Sequence, residues 1–245
     1  MRKVFLLMII SSAVIFSACN KSPEDYKTAA VSEYYPLLVG KYVTYNLDSL
    51  VFINFGTKDT VISYQVKHEV DALITDNLGR PAYRIIRYIR KTPANAWAPD
   101  NTFMAVPTDF AVEFIENNLR FLKMKAPIRN GFNWKGNSYI DTYSLNSTLK
   151  YLDDWDYTYD SIDVKTTLGA LTIDSTLKIA QRDETIGNPS DPNSYSEINY
   201  GAEKYAKGIG LIYRNFLHVE YQPPTPGHSG YKQGYGVTMT MIDHN

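Results

Sequence analysis

The stretch Ile62 to Ile74 constrains the fold of this chain more than any other. Ile62, Tyr64, Val66, His68, Val70, Ala72 and Ile74 occupy one parity, and Ser63, Gln65, Lys67, Glu69 and Asp71 the other. Extended backbone sends successive side chains to opposite faces, so a period of two specifies a half-buried strand. No segment of useful length shows a 3.6-residue period, and helix is expected to be scarce. The 20 tyrosines, with many Thr, Ile and Val, suit pleated sheet surfaces.

Other segments extend the pattern. A first strand is expected from Tyr42 to about Asn54, a turn at Gly56 to Asp59, and a hairpin turn at Asp76, Asn77 and Gly79. The return strand, about Ala82 to Lys91, holds Arg84, Arg87 and Arg90 at a spacing that a bulge explains better than a helix. Thr92 to Asp100 reads as a loop. Three short strands follow near 102–107, 110–117 and 119–125, then a punctuated segment ending at Trp134 and Gly136. The polar, tyrosine-rich run Asn137 to Tyr159 leaves a strand pair or an ordered excursion open. Ser161–Thr167 and Leu171–Arg182 form a hairpin, and Gly187 to Ser196 is an exposed loop and the best candidate for disorder. A strand over residues 198–206 turns at KGIG into Leu211–Gln222, where Leu211, Tyr213, Leu217, Val219 and Tyr221 are expected to point inward. The last strand runs from Tyr235 to Ile242.

The N-terminus predicts location. Met1 to Lys3 brings two positive charges, Val4 to Phe16 is an apolar run of 13 residues, and Ser17, Ala18 and Cys19 follow. This layout is that of a secretory signal peptide; the run falls short of the roughly 20 residues a spanning helix needs. FSAC resembles the lipobox of bacterial lipoproteins, in which the cysteine is acylated, with Phe16 departing from the usual leucine. Residues 1–18 are therefore expected to be removed as a lipoprotein signal peptide and Cys19, the only cysteine, to carry lipid such as palmitate. Residues 19–32 form a flexible tether and 33–245 one β-rich domain. Glu24 and Asp25 admit an acidic surface-export signal, although a plain solvated linker explains them. A single acyl chain holds a protein only marginally, whereas two anchor it stably. The implied address is the cell envelope, on the outer membrane. With no second cysteine, the domain must be held by packing alone or must live where disulfides are not relied upon.

Three segments, YYPLLVGKYVTY (34–45), APIRNGFNWKG (126–136) and EKYAKGIGLIYRN (203–215), resemble recurrent marks of a broad group of Bacteroidetes-type cell-envelope lipoproteins. The resemblance implies an antiparallel sheet curled into an open barrel, with the second mark preceding a central strand and the third forming a strand, glycine turn and returning strand. Val43 stands where the group often has an aromatic residue. Most members have no assigned activity, so the resemblance implies no catalytic residue.

Chemistry is sparse in the sequence. Net charge is −1 without a clustered basic face, which argues against nucleic acid. His68, His218, His228 and His244 form no metal-binding pair, and no metal or other cofactor is expected. No GxSxG elbow occurs, so no catalytic residue is assigned and the protein is expected not to be an enzyme. Asp153, Asp154, Asp156, Asp160 and Asp163 could in principle hold Ca²⁺, but they lack the glycine and glutamate of an EF-hand loop and read more simply as a solvated strand edge. Trp155, Tyr157 and Tyr159 share one face of a strand and are the candidate ligand-binding residues, an exposed aromatic row on which a glycan or apolar ligand could stack.

The sequence thus predicts a mainly β protein, a single curved antiparallel sheet or incomplete barrel with little helix. Its expected role is a non-catalytic binding or structural component of the envelope, held to the membrane through its N-terminal lipid and engaging an envelope protein or small ligand. The alternative is a carrier or receptor holding a lipid or glycan in an open barrel cavity. An unfilled interior would favour that alternative, and a packed one the structural role.

Overall fold

A computed structural model describes residues 28–245. Strand accounts for 62% of it and helix for 3%, and one twelve-stranded antiparallel sheet curls into a nearly closed barrel with a single unsealed seam. The expected signal peptide and Cys19 lie outside the described residues. A one-turn helix, α1 (Val31–Tyr34), precedes β1 (Tyr42–Ile53), β2 (Lys58–Thr75), β3 (Pro81–Arg90), β4 (Ala98–Pro107), β5 (Ala111–Glu116) and β6 (Leu119–Lys125). The second half contributes β7 (Asn133–Lys135), β8 (Asp156–Leu168), β9 (Leu171–Gly187), β10 (Ser196–Ala206), β11 (Gly210–Gln222) and β12 (Tyr231–His244).

The sheet order is β6-β5-β4-β3-β2-β1-β12-β11-β10-β9-β8-β7. Every neighbour is therefore consecutive in sequence except β1 and β12, which zip together from Val43↔His244 to Leu50↔Gly236. The seam lies between β6 and β7. An open edge exposes unpaired backbone groups, and here the edge is bridged instead of laddered. Leu122 N donates to Gly136 O at 2.8 Å, and Trp134 Nε1 donates to Leu122 O at 2.7 Å. The Tyr159 hydroxyl donates to Lys125 O at 2.7 Å and accepts from Lys125 N at 3.2 Å.

Aromatic packing fills the interior on the seam side. Trp134 lies 4.8 Å from Tyr159, ring centre to ring centre, and 5.9 Å from Tyr157 in an edge-on arrangement. Two glycines make room for these rings. A Cβ at Gly136 would come within 2.5 Å of the Tyr157 ring, and one at Gly201 within 2.6 Å of Trp155.

Several boundaries differ from the sequence reading. The body begins before residue 33, because Val31 and Tyr34 are buried against the core; the end of the expected tether is thus part of the domain. The strand after Trp97 starts at Ala98, and the final strand starts at Tyr231, four residues before Tyr235. The run 137–159 is an ordered excursion, with a 3₁₀ turn at Lys150–Leu152, that becomes strand at Asp156. The loop expected to be disordered is held by Tyr221, whose hydroxyl donates to Pro192 O at 2.9 Å. APIRNGFNWKG itself contains an edge strand, β7. The bulge expected among the arginines is not in their strand: β3 pairs without an inserted residue, and the extra residues lie in its neighbours, Asp71 of β2 and Asp100 of β4.

Leu211 lines the interior as expected, but from Tyr213 onward the inward parity of β11 is the reverse of the expected one. Register with β10 slips where Lys204 pairs with Tyr213 and Tyr205 with Leu211. That extra residue switches faces, so Phe216 and His218 are buried while Leu217, Val219 and Tyr221 remain partly exposed.

Candidate functional site

Away from the seam the barrel is not filled. A cavity of about 380 Å³ runs through the interior, bounded by inward residues of β1 to β6 and β10 to β12. The period of two that marked β2 in the sequence points Tyr64, Val66, His68 and Val70 into it. Across the ladders Val66 pairs with Tyr45 and Ile89, His68 with Val43 and Arg87, and Val70 with Ile85. All of these partners line the same space. Phe103 and Phe114 complete one apolar wall, Val237 and Met239 another. At one end the chain after α1 crosses the lumen. Tyr35, Pro36 and Leu37 form this floor, with the Tyr35 ring 5.7 Å from Tyr205 and 6.4 Å from Phe114.

One side of the cavity is charged. Lys123 Nζ lies 2.6 Å from Glu203 Oε1, and their side chains are only 5% and 1% exposed. The Tyr205 hydroxyl donates to Glu203 Oε2 at 2.7 Å. Arg214, directly opposite Glu203 in the β10–β11 ladder, grips Glu116 at 2.9 and 3.1 Å and comes within 3.7 Å of Glu203. A lone ion here would carry a desolvation cost of several kcal/mol. Two cations and two anions in the order Lys123, Glu203, Arg214, Glu116 cancel one another.

The titration behaviour follows from this arrangement. Burial opposes the charged form of Glu116, but Arg214 and Lys123 outweigh it and push the carboxyl down to about 2. Burial lowers Lys123 against the pull of Glu203, and Arg214 is raised because Glu116 and Glu203 overcome its desolvation. His68 is taken down to about 3, first by burial and then by Arg87, so its imidazole is neutral. That ring sits between Tyr45 and Phe103, with centroids 5.2 and 5.3 Å away, and its Nε2 is buried without a hydrogen-bond partner. Burial also raises Tyr45 well above the usual phenol range, and its hydroxyl donates to Leu211 O at 2.8 Å. Both carboxylates are held by cations, and among the described residues the His68 Nε2 is a buried polar atom of the cavity wall left without a partner.

The candidate residues of the sequence reading lie elsewhere. Trp155, Tyr157 and Tyr159 do share a face, but it is the inner one, where they are 1%, 2% and 0% exposed. They are packed core in place of the expected exposed row, because each finds an internal partner for its polar atom. Trp155 Nε1 donates to Tyr151 O, the Tyr157 hydroxyl to Asn137 Oδ1, and the Tyr159 hydroxyl to Lys125 O. Trp155 and Tyr157 border a side pocket of about 50 Å³ that also touches Glu116, Lys123 and Arg214. The acidic stretch disperses. Asp154 and Asp156 face Lys135, Asp160 faces Lys178, and Asp163 faces Lys207. Among the described residues no group of three or more His, Cys, Asp or Glu side chains converges for a metal ion. Of the other histidines, His218 stacks on Tyr151 at 3.8 Å and bonds Asn199, while His228 lies in the β11–β12 turn and His244 ends β12.

Sequence reasoning missed the charged quartet. The available signal was a charged residue within a strongly apolar strand, as in Phe121-Leu122-Lys123-Met124 and Gly201-Ala202-Glu203. No protein-family model matches the chain, and a search of curated proteins finds no relative.

Proposed function

We propose that this protein is a lipid-anchored component of the outer envelope whose barrel carries a small amphiphilic molecule, with an apolar part along the Val66, Ile85 and Phe103 wall and a polar end near His68 and the quartet. The observation that carries this reading is the unfilled cavity of about 380 Å³ with mostly apolar walls, a size within the range of roughly 300–1,000 Å³ usual for small-molecule sites. A lipid fits these walls better than a glycan, because the aromatic row that could have stacked a sugar is consumed by core packing. The quartet is internally neutral, so the cavity favours an uncharged or weakly polar head over a strongly ionic one. Anchoring through Cys19 and the outer-membrane address rest on the charged start, apolar run and FSAC of the leader, and the kinship with Bacteroidetes-type lipoproteins on the three sequence marks.

The test is mass spectrometry of the native protein released from its own membrane, alongside titration with the uncharged fluorophore N-phenyl-1-naphthylamine. A bound amphiphile and saturable binding are expected. Ile89→Trp, which places an indole in the lumen, should weaken binding of this probe by at least about tenfold, or about 1.4 kcal/mol. A protein that leaves the membrane empty, and whose probe binding ignores Ile89→Trp, would instead have a structural role.

A further inference from the structure

The barrel end at which the described chain begins is rimmed with exposed apolar side chains. Leu38 and Val39 lie in the loop before β1, Leu73 near the end of β2, Leu78 in the β2–β3 turn, and Phe110 at the β4–β5 turn; they are 65%, 59%, 60%, 76% and 70% exposed. Antiparallel alternation brings the start of β1, the end of β2, the start of β3 and the β4–β5 turn to this one end. Hydrogen bonds join the segments. Gly40 N donates to Val70 O and Val70 N to Lys41 O, while Arg80 beside Leu78 binds Glu113 of β5 at 2.8 and 3.0 Å. Ala126 N donates to Phe110 O at 2.7 Å, which places the exposed cations Lys125 and Arg129 next to the rim, together with the acid Asp109.

We infer that this rim docks on a lipid bilayer, its apolar tips entering the headgroup region with the barrel standing on that end. Two observations select a bilayer over a second protein surface. Four of the five tips, Leu38, Val39, Leu78 and Phe110, project from loops or turns instead of a flat strand face, and cations flank them, as suits anionic headgroups. The chain also arrives at this end, since Gly208 N donates to Glu33 O and ties α1 to the β10–β11 turn. Cys19 precedes Thr28 by nine residues, a reach of at most roughly 30 Å. That last argument rests on the anchoring proposed above; the rim itself does not.

With Cys19, the only native cysteine, occupied by lipid, an introduced thiol reports one site. Nitroxides at Leu78→Cys and Phe110→Cys, with Phe55→Cys at the opposite end as the reference, are read in full-length protein reconstituted into phosphatidylethanolamine and phosphatidylglycerol vesicles. Expected is strong relaxation of both rim labels by oxygen with loss of relaxation by a water-soluble nickel chelate, and the reverse at Phe55. Protein that floats with the vesicles while every label stays open to nickel overturns the rim and leaves the anchor standing. Labelling of Cys19 in the unsubstituted chain overturns the anchor alone; the rim labels are then read in a Cys19→Ser background mixed with the same vesicles and judged by the same signs. Rim labels shielded without vesicles, with broadening that grows with protein concentration, show a second copy covering the rim and overturn its docking to lipid.

Discussion

His68 offers a direct measure of how dry the lumen is. A histidine whose folded pKa lies below its unfolded value binds fewer protons when folded, so the unfolded state gains from acid. With the folded value at about 3 and the unfolded one at 6.5, the stability this group leaves intact is fully present above pH 6.5 and is lost as pH falls through the interval down to about 3. Each pH unit is worth about 1.4 kcal/mol. Between pH 6.5 and 4.5 the loss approaches about 2.7 kcal/mol, and over the whole interval the ceiling is about 5 kcal/mol. Water admitted to the cavity solvates the imidazolium and brings the measured loss below that ceiling. His68→Phe keeps a ring between Tyr45 and Phe103 and removes the titration. Urea unfolding at pH 7.0, 5.5 and 4.5 should show the native protein losing stability more steeply than the variant, with the two diverging by about 1–3 kcal/mol at pH 4.5. The carboxylates titrating below pH 4.5 are common to both proteins and cancel. Parallel curves, or a His68 titration by NMR with a midpoint above 6, would show that the ring is well hydrated and refute the reasoning.

The quartet and the seam yield two further expectations. Glu203→Gln strips the buried Lys123 ammonium of its partner at 2.6 Å and should cost about 3–5 kcal/mol in urea unfolding; adding Lys123→Met should recover most of it, since Arg214 and Glu116 still neutralise each other. Tyr159→Phe removes the hydroxyl that both donates to and accepts from Lys125 across the seam and should cost about 1–3 kcal/mol, with faster amide exchange expected at Lys125 but not along β1.

Much of the fold could be read from side-chain period alone. The alternation in Ile62–Ile74 located both β2 and the face of it that lines the lumen, and the turn residues at 76–79 and 206–210 located two hairpins. The site was less legible because a barrel strand has an inside that is neither uniformly apolar nor uniformly packed. Arg214 points inward, yet the sequence places it between Tyr213 and Asn215, where hydrophobicity votes for the wrong parity. The register slip at Leu211 adds a second error of one residue. The shared face of Trp155, Tyr157 and Tyr159 was correct, but spacing says which residues lie together and not whether solvent or a neighbouring strand covers them. That Lys123 meets Glu203 from 80 residues away depends on how the sheet closes, and no local pattern encodes it.

The position of β1 bears on mechanical load. It is flanked along its whole length by β2 on one side and for most of it by β12 on the other. For a body restrained at its N-terminal end, tension entering through α1 is directed along β1, shearing two ladders simultaneously. Shear loads many hydrogen bonds in parallel, whereas peeling breaks them one at a time, so the strand that takes the pull is among the best braced in the barrel, and the weakly joined β6 and β7 lie at the far side of the sheet from that line of force.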